Sequence, residues 1–354
     1  TTEKLKTLGL GVSAYFVITT IIAILVAVLL ASIIAPGSLI DSAAMQESYD
    51  LSDNEMEIKE GFSLDDIPNA VSNIIPRNPI TAYLEGQMFS ILIFALIIGL
   101  SMAALPKEST NPLLDILESL QKITLHILLF SMKIVPFAVF GLIVGMVSKI
   151  GIESMAGLGV YMGTVVLGLG VLLLVYILIL KVVAKRPIFS TFSKFRNPQT
   201  VSFSTASSMA TMPVTLKTAE EDLKIDPKVS NFVIPFGTTV NMDGTALYQV
   251  IAVFFLAQLF SIELSMLAIF VIIITSLLAS IGTPAVPGAG TIVLSTILIT
   301  VGIPPVGILL LLSVDRILDR VRTMVNVTGD LTACCVFDKL TGNSKKIKNQ
   351  FTFG

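Results

Sequence analysis

Residues 314–337 read VDRILDRVRTMVNVTGDLTACCVF and follow a leucine-rich run at 308–312. Among the residues foreign to an apolar segment are Asp315, Asp319, Arg322, Asn326 and Asp330. At about 100° per residue, a helix gathers all five into a stripe about 80° wide. The stripe keeps one face for about four turns, which a helix end dipping into lipid headgroups would not need. An Asp or Arg at mid-bilayer costs on the order of 2.5–3.5 kcal/mol on insertion scales. Polarity concentrated in this way points to an ion or substrate site.

The rest of the chain supplies the membrane context. Its 354 residues are 54% hydrophobic and only 14% charged, with mean hydropathy +0.87. That composition belongs to an integral membrane protein. Apolar stretches lie at 8–34, 89–105, 123–147, 155–180, 232–259, 264–278 and from 308 onward. They are long and lack the alternation of barrel strands, so the expected class is an all-α polytopic membrane protein. The adjacent Cys334 and Cys335 read as packing, and His126, the single histidine, as a packed polar group. A net charge of −2 singles out no partner, and no nucleic acid is expected.

Loop charge orients the chain. Lys181, Lys185, Arg186, Lys194 and Arg196 form a basic stretch without an acid, and Lys339, Lys345, Lys346 and Lys348 form a second at the C-terminus. Both are expected in the cytoplasm. Residues 36–79 are rich in Asp and Glu and are expected as an outward-facing, solvated loop.

Two segments break the apolar pattern without leaving it: SFSTASSMATMP at 202–213 and SIGTPAVPGAGT at 280–291. Their flanking arms are short for full spans, so re-entrant helical hairpins fit better than loops in water. Each is followed by an apolar helix interrupted by Asn-x-x-Gly: Asn241 to Gly244, then Asn326 to Gly329. Asparagine and glycine there permit local unwinding and free carbonyls for a cation. Arg322 offers a planar fork for a carboxylate, Asp319 can hold an ammonium, and Asn326 with hairpin hydroxyls can hold a second carboxylate. The set matches a zwitterion with an extra acid, such as aspartate or glutamate. Asp243, Asp330 and nearby carbonyls offer hard oxygens for a small cation, to which Thr19, Thr20 and Thr239 can add hydroxyls.

These motifs, with NMDGTALYQ at 241–249, resemble those of the glutamate transporter homologues, the dicarboxylate/amino acid:cation symporters. They stand in the family's order over nearly the whole chain. Members of this family are themselves a standard example of inverted-repeat transporters. The resemblance implies an elevator transporter: a homotrimer in which a transport domain slides against a scaffold. Its transport domain would comprise 1–35 and 151–354, and its scaffold helices 80–150. The first hairpin would lie at about 188–215, an unwound helix at about 230–260, the second hairpin at about 264–301, and the last helix at about 305–337.

The resemblance also implies site roles. Arg322 with Thr245 would bind the substrate side-chain carboxylate, and Asp319 the amino group. Asn326, Ser207 and Ser208 would bind the main-chain carboxylate, with backbone from Val286 to Gly290 closing over it. Asp315 and Arg320 would supply supporting charge. One sodium ion would sit at Gly237, Asn241, Asn326 and Asp330; a second at Thr239, Ser280, Ile281 and Thr283; a third at Thr19, Thr20, Asn241 and Asp243. The expected function is sodium-coupled symport of L-aspartate or L-glutamate in a bacterial inner membrane, without an enzymatic step or organic cofactor. The alternative within the family is a proton-coupled glutamate or C4-dicarboxylate symporter.

Several positions depart from the family pattern. The resemblance begins at the family's third helix; the family's first two scaffold helices are expected either to be absent or to lie outside this numbering. Ala206 stands where many prokaryotic members have arginine, and Arg320 appears instead, as in animal members, with either placement expected to set a guanidinium beside Asp315. Met209 replaces a serine, Phe16 a tyrosine, and Ala285 a glycine of the gate. Gln249 replaces the glutamate of proton-coupled animal members and cannot carry a proton. An intramembrane aspartyl protease is disfavoured, because an arginine in the same stripe is out of place in a dyad that must share a proton. A channel is disfavoured by a site shaped for a zwitterion.

Overall fold

Among the described residues, three stretches are long and apolar enough to cross a bilayer: Leu8–Leu39, Ala156–Val182 and Pro227–Leu259. The computed structural model describes residues 2–40, 78–84, 88–131, 133–150 and 154–341. These are helical, with no strand among them. Most of the acidic 36–79 segment and the lysines of the tail beyond 341 lie outside the described residues.

Helix α1 (Thr2–Ile34) is followed, after a short turn, by α2 (Pro79–Leu84), α3 (Met88–Ala104), α4 (Lys107–Ser131) and α5 (Val135–Ile150). The apolar run at 123–147 is therefore two helices rather than one. Pro136 in the first turn of α5 has no amide to continue α4 and bars Val135 from an easy helical approach. His126 lies on the exposed side of α4 rather than being packed, while both cysteines are buried and free.

Next come α6 (Ser154–Val182), α7 (Ile188–Lys194), α8 (Arg196–Thr205), α9 (Ser208–Lys217), α10 (Pro227–Val240), α11 (Asp243–Leu259), α12 (Met266–Gly282), α13 (Ala289–Thr300) and α14 (Ile308–Leu340). Helix α11 is buried along almost its whole length. Ala23, Ala27 and Ala31 of α1 are buried in the core that α11 fills, and their small side chains let the two backbones approach closely. The opposite face of α1 presents Leu25, Leu29 and Ile33 outward, as a lipid-facing helix does.

Two helix–turn–helix pairs flank this centre. Between α8 and α9 the chain turns at Ala206 (φ 50°), and the Ser207 hydroxyl caps α9 by accepting the Ala210 N–H. Between α12 and α13 it turns through residues 283–288, ending at Gly288 with φ 79°.

The two Asn-x-x-Gly segments behave differently. The first breaks the backbone: Asn241 and Met242 leave helical geometry between α10 and α11. The second does not unwind, and α14 runs unbroken through Asn326 and Gly329. The reason is steric. A methyl group at Gly329 would sit 2.6 Å from Asn241 Nδ2 and 2.7 Å from the Tyr176 hydroxyl, so the glycine serves close packing, not a bend.

A second core at the other end gathers Phe16, Phe195, Val233, Cys334 and Phe337. There Arg186 donates to the Asp338 carboxylate (2.8 Å) and to the Leu223 carbonyl (2.9 Å), while Asp338 also accepts the Asp226 amide. This clamp joins the end of α14 to the turns before α7 and α10.

Candidate functional site

All five polar residues of the α14 stripe are buried. Arg322, 1% exposed, is held on one side by two acids of its own helix. Its Nη2 donates to Asp319 Oδ1 at 2.8 Å and lies 3.0 Å from Asp315 Oδ1, the latter an ion pair without hydrogen-bond alignment. The guanidinium also lies over the Tyr248 ring, 3.7 Å from its centroid, a favourable cation–π placement. Its Nε and Nη1 meet no acceptor among the described residues. Arg320 points to the exposed face, so Asp315 draws its cation from Arg322 and not from Arg320.

Asp319 bridges outward. Its second oxygen accepts the Gly288 N–H at 2.9 Å, which ties the turn between α12 and α13 to α14. The α8–α9 turn meets the same segment: the Ser207 hydroxyl donates to the Ala285 carbonyl at 2.8 Å. Between these parts lies a small cavity of about 20 Å³, lined by Ser208, Thr245, Val286, Gly290, Asp319 and Asn326. That is room for about one water molecule. Arg322 stands just behind the lining, since a methyl group at Gly290 would be 3.4 Å from its Nη1.

Asn326 links the stripe to the broken helix. Its Oδ1 accepts the Gly244 N–H (2.8 Å), and its Nδ2 faces Thr245 Oγ1 and Met242 Sδ, both at 3.3 Å. Asn241 answers from the other side: its Nδ2 donates to the Asn326 carbonyl (3.1 Å) and to Asp330 Oδ1 (2.8 Å). Gly237 closes the group, because a methyl there would collide with Asp330 Oδ1. Nearby, Asp243 accepts from Thr20 (2.6 Å) and Tyr176 (2.7 Å).

Asp243 and Asp330 are thus buried carboxylates, and neither has an Arg or Lys partner among the described residues. The Asn241 Oδ1 beside them is buried without a donor among the described residues. Buried carboxyl groups without a cationic partner among the described residues, and an orphaned oxygen, are chemistry that a small hard cation can satisfy.

The structure brings together Gly237, Asn241, Asn326 and Asp330, and separately Thr20 with Asp243. Thr19 is buried beside Thr20 and bonds the Phe16 carbonyl. The set of Thr239, Ser280, Ile281 and Thr283 is the least assembled. Thr239 is exposed and its hydroxyl bonds its own helix at Phe236 and Pro235. Ser280 and Thr283 likewise bond back to Leu277 and Ala279.

Sequence reasoning missed Tyr248, Tyr176 and Met242. The available signal was a polar-tipped aromatic inside each of two apolar spans, since a buried tyrosine usually needs a partner for its hydroxyl. Gln249 also has a part that its type alone did not reveal: its Nε2 holds the Gly290 carbonyl at 3.0 Å.

Residues 1–340 match the family model described as the sodium:dicarboxylate symporter family. The chain is 33% identical over 340 residues to the proton/sodium-glutamate symport protein of Bacillus subtilis (strain 168), covering 96% of this chain and 78% of that protein. It is 37% identical over 263 residues to excitatory amino acid transporter 3 of Mus musculus, covering 73% of this chain and 50% of the relative. The Homo sapiens protein of the same name is 34% identical over 299 residues, with 82% and 56% covered. The chain spans about half the length of these mammalian relatives.

Proposed function

The chain belongs to the sodium:dicarboxylate symporter family, and on that premise we propose that it is a sodium-coupled symporter of L-aspartate or L-glutamate. The observation that carries this reading is Arg322. It is buried and paired on one side, with two N–H-bearing nitrogens unpartnered behind the cavity wall. A buried donor without an acceptor is costly, and a carboxylate matches a guanidinium edge in both charge and shape. The substrate's side-chain carboxylate fills that place beside Thr245. Its ammonium takes Asp319 over from the Gly288 N–H. Its main-chain carboxylate meets Asn326 Nδ2 and the Ser207–Ser208 turn. A dicarboxylate without an amine would offer Asp319 nothing in place of the Gly288 N–H.

Sodium ions travel as co-substrates. Asp330 with Asn241 and carbonyls of Gly237 and Asn326 holds one. Asp243 with Asn241, Thr19 and Thr20 holds another. A third uses Thr239 with carbonyls of Ser280, Ile281 and Thr283, and requires rearrangement of the α12–α13 turn. The helix–turn–helix pairs act as re-entrant hairpins, the second as the outer gate. The transport domain slides, elevator-like, against the scaffold of a homotrimer. The basic segments lie on the cytoplasmic side of a bacterial cell membrane, as their Lys and Arg excess favours.

Calorimetry of L-aspartate and L-glutamate binding to purified protein, across sodium concentrations, tests the proposal. Affinity is expected to rise steeply with sodium and to vanish in potassium. Binding indifferent to sodium overturns the coupling ion, and no binding of either amino acid overturns the substrate. The names of the bacterial relatives pair proton with sodium. Against proton coupling here stands Gln249, which cannot ionise. Uptake driven by an acid pulse without sodium would contradict that assignment.

A further inference from the structure

The end of α6 carries a feature that the transport reading leaves unused. Leu174, Leu178 and Val182 stand four residues apart on its outer face, each about 60% exposed. Leu172, Tyr176 and Leu180 seal the inner face. Where this apolar stripe stops, Lys181 and Lys185 are exposed. Phe189 follows in the first turn of α7 and is 91% exposed, whereas Ala184 and Phe195 behind it are buried in the second core.

The backbone at this end is unusual in a way that favours a retained charge. Lys185, three residues past the end of α6, is in the left-handed region, with φ 52°, and the Arg186 N–H closes on the Leu180 carbonyl at 3.1 Å. Lys224 is also left-handed, with φ 56°. Arg186, by bonding the Leu223 carbonyl, brings that turn alongside. Glycine is the easier residue for such a conformation, yet both positions are exposed lysines. The acids nearby are largely engaged. Asp338 is held by Arg186, Asp226 caps the Lys228 amide, Glu220 accepts from Ser230 and Asn231, and Glu221 pairs with Lys217. Asp222 is exposed, and its carbonyl accepts Lys194 Nζ.

We propose that this patch is a binding site for an anionic phospholipid. One acyl chain lies along Leu174, Leu178 and Val182. Lys181 and Lys185 hold the phosphate, with Lys224 beside them. Phe189 sits at the boundary between headgroup and acyl chain. The occupant is a lipid rather than a soluble anion because the basic residues continue an apolar stripe at the end of a membrane-length helix, and basic residues there attract anionic headgroups.

The chain contains no tryptophan, which gives a direct test. Phe189→Trp in the full chain creates a single tryptophan, which can be excited apart from the six tyrosines. The variant is reconstituted in phosphatidylcholine vesicles containing equal fractions of either dibrominated phosphatidylglycerol or dibrominated phosphatidylcholine. Quenching by the anionic lipid is expected to be several-fold stronger. Adding Lys181→Ala and Lys185→Gly should bring the ratio close to one. Lys185→Gly suits its backbone, so Tm should hold or rise while lipid preference falls, which separates binding from folding. Equal quenching by the two lipids, or a preference that survives both lysine substitutions, overturns the site. So does a preference abolished by free inorganic phosphate, which would mark a soluble-anion site.

Discussion

Two segments of the molecule share the pattern Asn-x-x-Gly and meet opposite ends. At Asn241–Gly244 the helix stops and restarts; at Asn326–Gly329 it continues unbroken. Yet each asparagine serves the backbone of the other segment. Asn241 donates to the Asn326 carbonyl, and Asn326 accepts the Gly244 N–H. The break exposes an amide that no residue of its own helix can satisfy, and the intact helix brings a side chain to cap it. A short motif therefore fixes what is available for bonding, while packing decides whether the backbone bends. The intact helix contributes charged side chains to the site, and the broken one contributes backbone groups and a buried carboxylate.

That division can be tested by substitutions of graded severity. Arg322→Ala removes the charge chemistry of the intact helix and leaves Asp315 and Asp319 buried together. Binding of acidic amino acids is expected to weaken by about 2–5 kcal/mol, on the order of thirtyfold to a few thousandfold in Kd, as calorimetry would read. Unchanged aspartate affinity would remove Arg322 from the site. Gly329→Ala sharpens the steric account. Helix propensity favours alanine by about 1 kcal/mol, but its methyl meets Asn241 and Tyr176, so a net loss of about 1–2 kcal/mol in stability is expected, together with weaker sodium dependence of binding. A raised Tm with normal sodium dependence would mean that Gly329 is not a contact residue. Gly244→Ala should be mildest. Its methyl would stand 3.0 Å from the Arg322 carbonyl and Asn326 Oδ1, a strain of about 1 kcal/mol that propensity largely offsets. Its Tm should stay close to that of the unaltered chain.

The sequence disclosed the polar stripe because five residues at helical spacing are hard to accommodate in lipid for any other reason. It disclosed the first helix break and both helix–turn–helix segments through Gly, Pro and hydroxyl content. The division of 123–147 was legible at Pro136 but was outweighed by a continuous apolar run. The intact backbone at Asn326 was not legible, since it depends on Tyr176 and Asn241 lying against Gly329, contacts far apart in sequence. Arg320 and Arg322 are two residues apart and of one type. Only the rotation of α14 in its packing decides that one faces Asp315 and the other faces out.

The bond between Thr20 and Asp243 spans 223 positions of chain. At a synthesis rate of roughly 5–20 residues per second, α1 waits roughly 11–45 s for its partner to be made. Over that interval it has a holding arrangement of its own: the Thr19 and Thr20 hydroxyls both donate to the Phe16 carbonyl one turn back. The helix can thus sit in lipid with its polar atoms satisfied before the residue that gives them a purpose has left the ribosome.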